Sequence, residues 1–171
     1  MLQNKPDPWS CAVTAFAMAI DIPVQQLIEE IGHDGGEKIF THLPDPMCRR
    51  GFHSQELIQA AWQHGFACTP IEMYPRLTCE PFPGTFPPRD GLSMEKDVWT
   101  PEAAWTRFQV GVGMTRGVME GQGCRCHHAV YYHFGQIWDP DGEQCEYSLK
   151  ACEARSFYGN RLWVFTENGL V

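Results

Sequence analysis

Asp7-Pro8-Trp9-Ser10-Cys11-Ala12-Val13-Thr14-Ala15-Phe16-Ala17-Met18-Ala19-Ile20 is the stretch from which the rest of the chain is read. Ser10 is a good helix N-cap, since its hydroxyl can accept from an otherwise unpaired first-turn amide. Pro8 and Trp9 keep a helix from starting much earlier. Small and apolar residues then run on with almost no charge, the pattern of a helix buried on most sides. Cys11 opens that helix. There the helix dipole and free N–H groups favour a thiolate, as a thiol nucleophile requires. The position suits a small apolar core residue as well, because free cysteines are among the most buried residue types.

A second stretch bears on that choice. His127-His128-Ala129-Val130-Tyr131-Tyr132-His133-Phe134-Gly135-Gln136-Ile137-Trp138-Asp139-Pro140 reads as a β-hairpin with Phe134-Gly135 as its two-residue turn. Folding there brings His128 and Asp139 together at the open end of two paired strands. Direct or diagonal cross-strand neighbours are about 5–8 Å apart at the backbone, close enough for a carboxylate to orient an imidazole. A cysteine, a histidine and an orienting acid are the parts of a thiol hydrolase. Adjacent strand residues face opposite sides, so only one of His127 and His128 can face Cys11. His133, on the parity of His127 and near the turn, reads as an exposed polar residue.

On these residues the chain resembles a small papain-like cysteine peptidase. It is similar in pattern to the bacteriocin-leader peptidases and related small domains of bacteria and phages. Those have a cysteine opening an Ala-rich helix, a histidine starting a strand that reads His-Ala-Val, and Asp-Pro after the next strand. Cys11, His128-Ala129-Val130 and Asp139-Pro140 stand in that order here. The resemblance implies Cys11 as nucleophile, His128 as general base and acid, and Asp139 as its orienter. It also implies Gln3 as an oxyanion donor, although Gln3 lies eight residues before Cys11, further than is usual. The resemblance covers roughly a third of the chain, and the middle matches no pattern.

Length and composition bound the rest. At 171 residues one domain is expected, with 43% hydrophobic residues including six Trp and ten Phe to fill its core. The net charge of -8 argues against nucleic acid or an anionic membrane as partner. No run approaches the ~20 apolar residues that span a bilayer. Met1 to Pro8 lack an apolar signal region, so the expected compartment is the cytoplasm. Most of the eight cysteines are then expected reduced. Cys124-Arg125-Cys126-His127 also has the donor types of a zinc site, but the chain has no Cys-x-x-Cys pair.

Along the chain, Asp21 is expected to cap a second helix, with Pro23 in its first turn and Val24, Leu27, Ile28 and Ile31 on one face, ending at Gly32. Residues 37 to 52 read as irregular because of Pro44 and Pro46. His53-Ser54 caps a third helix from Gln55 to Gln63, with Leu57, Ile58, Ala61 and Trp62 inward and Gly65 at its end. A short strand fits Ala67 to Ile71. Residues 74 to 91 carry five prolines, which forbid regular structure through most of a long loop. Thr100-Pro101 starts a helix running to about Phe108. Strands are expected from Arg116 to Gly121, in the hairpin, and from Arg161 to Thr166, with Cys145 to Leu149 as strand or short helix.

Helices first and antiparallel strands last give an α+β fold. The resemblance makes it papain-like: a single domain over residues 1–171, with a helical half at about 9–66, a proline-rich loop at about 74–91 and a sheet half at about 115–168. The expected function is cysteine-dependent hydrolysis of a peptide or isopeptide bond through Cys11, His128, Asp139 and Gln3. The expected substrate is a protein or peptide, with no cofactor, no nucleic acid and no membrane partner. Two other readings stand beside it. One is a papain-like binding module without chemistry. The other is a zinc-stabilised domain using Cys124, Cys126 and His127.

Overall fold

A computed structural model describes residues 1–36, 38–40, 47–49, 51–72, 115–122, 127–146 and 158–168. For residues 38–40, 47–49, 72, 122, 127, 143–146 and 158–160 it describes the backbone alone. The expected loop at 74–91, the expected helix at 100–108, and Cys124 and Cys126 lie outside the described residues.

Among the described residues there are three helices and two antiparallel sheets, an α+β architecture. Helix α1 (Cys11–Ile20) has every residue from Val13 to Ile20 buried. It lies across strands β4 (Arg116–Gln122) and β5 (His127–His133). That placement explains its composition: a helix with core on nearly all sides has no use for a polar face. Phe16 is the central anchor, fully buried and edge-on to Trp163 and Phe165 at centroid distances of 6.3 and 5.1 Å. Each such aromatic pair is worth about 0.5–1.5 kcal/mol beyond the area it buries.

Helix α2 (Val24–Ile31) buries Leu27 and Ile28 and ends at Gly32 in the left-handed region, φ 89°. Helix α3 (Ser54–Gln63) buries Leu57, Ala60 and Ala61. His53 is its N-cap: its ring accepts from the Gln55 N–H, while Glu56 accepts from the His53 N–H, a reciprocal capping box. Two sequence expectations change here. Trp62 is 56% exposed and is not an inner-face residue. Asp21 does not cap α2; it closes α1 in the left-handed conformation, φ 60°.

The main sheet has six strands in the order β3–β8–β4–β5–β6–β7, every neighbouring pair antiparallel. Strands β4, β5, β6 (Gln136–Asp139) and β7 (Glu143–Glu146) form a meander. Strand β8 (Tyr158–Glu167) returns to pair with β4, and β3 (Phe66–Glu72) closes the edge beyond it. So β3, contributed by the chain just after the helices, belongs to the sheet. Its Pro70 is tolerated because an edge strand can spare one N–H. Residues 37–52, read as irregular, include a second, two-stranded sheet of β1 (Lys38–Phe40) and β2 (Met47–Arg49).

Gly117 marks the tightest approach in the main sheet. A Cβ there would stand 1.8 Å from the Trp163 carbonyl oxygen and 2.9 Å from the Tyr132 hydroxyl. Among the described residues no single helix is long and apolar enough to cross a membrane; α1 and α2 have the combined length only as a pair bent by 110°.

Candidate active site

The hairpin forms as its sequence suggests. Phe134 and Gly135 have φ of 45° and 80°, the two positive values of a type I′ turn. The register pairs Tyr131 with Trp138, Tyr132 with Ile137 and His133 with Gln136. Carried one step further, it sets Asp139 opposite Val130, so His128 is the diagonal neighbour of Asp139 on the same face. Across that diagonal, His128 Nε2 and Asp139 Oδ1 are 2.9 Å apart, with the side chains 15% and 14% exposed. Asp139 Oδ1 also accepts the Asp141 N–H at 2.9 Å, which fixes the carboxylate at the head of the Asp139–Gly142 turn.

With Nε2 turned to Asp139, His128 also lies near enough to Cys11 for the thiol to act on its titration. His128 shares parity with Val130 and Tyr132, whereas Ala129 and Tyr131 belong to the core around α1. Burial acts to lower the His128 pKa. The hydrogen bonds to Asp139 and Cys11, and then their charges, outweigh burial and push it up to about 10. Such a ring stays imidazolium through neutral pH.

The start of α1 is arranged differently from what Ser10 suggests. Ser10 occupies the N-cap position, but its hydroxyl makes no cap bond and donates instead to Asp7 Oδ1 at 2.6 Å. The same oxygen accepts the Trp9 N–H at 3.1 Å. Asp7 thereby folds the approach to Cys11, and the indole N–H of Trp9 pins it to the Asp34 carbonyl at 3.1 Å. The first-turn amides of α1 are left without a side-chain cap. They are the natural donors to an anion forming at Cys11.

Gln3 is not one of those donors. Its amide nitrogen donates to the Ile22 carbonyl at 2.6 Å and its amide oxygen accepts the Val24 N–H at 2.6 Å. Both partners lie at the α1–α2 joint, a helix length of about 15 Å from the Cys11 end. Gln3 thus does for the start of α2 what Asp21 was expected to do. This corrects the oxyanion role implied for it.

His133 is also corrected. It is half-buried, stacked on Tyr131 at 6.1 Å and against Phe134 at 4.4 Å. Burial, and then the nearby Arg116 charge, hold it below the usual histidine range. For the zinc reading, Cys124, Cys126 and the His127 side chain lie outside the described residues. Cys11 and Cys68 are free thiols, and burial pushes Cys68 up to about 12, which keeps it protonated and inert.

Two residues near Asp139 carry no signal in the sequence: Asp141 reads as part of the turn, and Lys5 has no partner there. Lys5 Nζ and Asp141 Oδ1 are 2.5 Å apart, and the Lys5 N–H donates to the Pro140 carbonyl at 2.9 Å. His128, Asp139 and Asp141 are also the one group of three metal-type donors among the described residues, their ligand atoms all within 4.8 Å of one another. The Lys5 ammonium on Asp141 already supplies a cation to that cluster. Nearby, Gln3, Asn4, Met18, Trp138 and Asp139 line a small open pocket that includes neither Cys11 nor His128.

No protein-family model matches the chain, and no curated protein matches it.

Proposed function

We propose that the chain is a papain-like thiol hydrolase that cleaves a peptide or isopeptide amide through Cys11, His128 and Asp139. One observation carries the reading: a single imidazole bonded to Asp139 at 2.9 Å, with the Cys11 thiol close enough to raise its pKa further. Residues distant in sequence, one opening a buried helix and two at a hairpin end, meet in the order nucleophile, base, orienter.

The chemistry follows from the arrangement. In the reactive pair His128 already holds the proton as imidazolium beside a Cys11 thiolate, and Asp139 stabilises that imidazolium and fixes its direction. The thiolate attacks the amide carbonyl, and the first-turn amides of α1 receive the oxyanion. His128 then protonates the leaving amine, which departs to leave a thioester on Cys11. Water, deprotonated by the same imidazole, hydrolyses the thioester and frees the thiol. The substrate proposed is a protein or peptide, because the bond cleaved is an amide.

The test is turnover of a fluorogenic peptide-amide library by wild type and Cys11→Ala, beside thermal unfolding of both. Cys11→Ala is expected to fold and to lose activity by about 10³-fold or more, the scale at which nucleophile removal acts. Wild-type activity in Cys11→Ala would overturn the reading.

A further inference from the structure

The N-cap residues of the three described helices do not share one backbone. Pro23 before α2 and His53 before α3 are extended, with ψ of 136° and 139°. From that conformation a side chain reaches back to the first-turn amides, as His53 does. Ser10 before α1 has ψ 16° and makes no cap bond, although serine is among the best capping residues. The cause is Asp7. Its backbone carbonyl accepts the Ser10 N–H at 3.3 Å, and its Oδ1 accepts the Ser10 hydroxyl at 2.6 Å. The same Oδ1 accepts the Trp9 N–H at 3.1 Å, and the Trp9 indole is anchored on the Asp34 carbonyl. Asp7 therefore holds Ser10 by its backbone and by its side chain.

We propose that Asp7 is a positioning residue for the oxyanion site: by holding Ser10 it keeps that residue from capping α1, and so leaves the first-turn amides open to the anion formed at Cys11. This rests on the thiol-hydrolase reading above. Cys11 is the first residue of the helix and directly follows Ser10, so the amides in question belong to the nucleophile's own turn.

The competing arrangement is built into the residue types. Ser10 is fully buried, so its hydroxyl must find a partner inside the protein. Without the Asp7 oxygen, the donors nearest in the chain are the N–H groups of Ala12 and Val13. They are the second and third positions of α1, the two that a capping oxygen takes, and no side chain caps them here. A serine oxygen seated on them occupies the end of the helix where an anion beside Cys11 has to be received. Charge is not what the contact needs. Both side-chain bonds to Asp7 come from neutral donors, and an asparagine oxygen in the same place accepts them as well. The chain forgoes the better-capped helix and keeps its donors open.

The experiment is steady-state turnover of the best-cleaved peptide amide of the fluorogenic library, with kcat and KM measured separately and thermal unfolding alongside. Asp7→Ala is expected to lower kcat about 10- to 100-fold with KM little changed, because an oxyanion donor acts in the transition state alone. Asp7→Asn should keep the wild-type kcat. Asp7→Glu keeps the charge but moves the oxygens one methylene away; it should lose kcat as Asp7→Ala does, and it carries the test where Asp7→Ala folds poorly. Ser10→Ala has no hydroxyl to place on the amides and should stay near wild type. The double variant Asp7→Ala/Ser10→Ala should regain most of the kcat that Asp7→Ala loses, a rescue that a merely structural role would not give. Wild-type kcat in folded Asp7→Ala, a loss in Asp7→Asn as large as in Asp7→Ala, a loss confined to KM, or a double variant no faster than Asp7→Ala would each overturn the role of Asp7 and leave the hydrolase reading standing. Wild-type protein without turnover, or full turnover in Cys11→Ala, would overturn both.

Discussion

His64 and Glu30, between the end of α3 and α2, approach to 2.6 Å; His128 and Asp139, at the end of the hairpin, stand 2.9 Å apart. By distance the peripheral pair is the closer. Its side chains are 24% and 32% exposed, about twice as open as those of the other pair. Glu30 divides its oxygens between the ring and the Gln26 amide, and the hydrogen bonds from His64 and Gln26 hold its carboxyl below the usual range. It is a tie between two helices. His128 has a second partner, the Cys11 thiol, and its interactions with Asp139 and Cys11 raise it against its own burial. A short histidine–carboxylate contact is therefore not what makes a site here. What distinguishes the hairpin pair is a thiol beside the ring and enough burial to strengthen each interaction.

The two pairs should respond very differently to removal. His128→Ala is expected to fold and to lower turnover by about 10³-fold or more, because it removes the base, the acid and the cation beside the thiolate. Asp139→Ala should fold and lower turnover by about 10²-fold, within the range of acid–base contributions. Asp139→Asn should be milder, since an amide oxygen still accepts from the ring N–H. Full activity in a folded Asp139→Ala would reduce the site to Cys11 and His128.

The pH dependence of stability sharpens the contrast. A histidine raised from 6.5 to about 10 binds its proton more tightly in the folded state. Its contribution to stability is full below about pH 6.5 and is lost as pH rises through about 10. Urea unfolding at pH 6, 8 and 10 should show the advantage of wild type over Asp139→Asn shrinking across that window. An advantage that grew with pH would contradict the imidazolium. The smallest effect belongs to the periphery: His64→Ala should leave turnover unchanged and cost less than about 1 kcal/mol, as exposed pairs do. Loss of turnover in folded His64→Ala would break the comparison.

What the sequence made legible follows from where its signals are local. The apolar run from Val13 to Ile20, the helical spacing of Leu27 and Ile28, the endings at Gly32 and Gly65, and the Phe134-Gly135 turn are each decided by neighbours in the chain. The hairpin register then places His128 across from Asp139 with no long-range information. The misread positions depend on contacts made far away. Gln3 takes the role expected of Asp21, and Asp21 closes α1 instead, because the N-terminal residues fold back on the α1–α2 joint. Ser10 gives its hydroxyl to Asp7 instead of to the helix. Trp62 fits the inner face by spacing yet lies on the outside, because the described core needs only Leu57, Ala60 and Ala61 from α3. Lys5 and Asp141 meet only once the N-terminal residues, which carry no helical period, reach the turn after β6.

The central claim is that Cys11 and His128 act as one unit, and the alkylation rate of Cys11 at pH 6 in wild type and in His128→Ala tests it most directly. Wild-type Cys11 should be labelled far ahead of Cys68, and His128→Ala, still folded, should lose most of that lead because no imidazolium remains to hold the thiolate. Equal labelling of Cys11 in the two proteins would contradict the account.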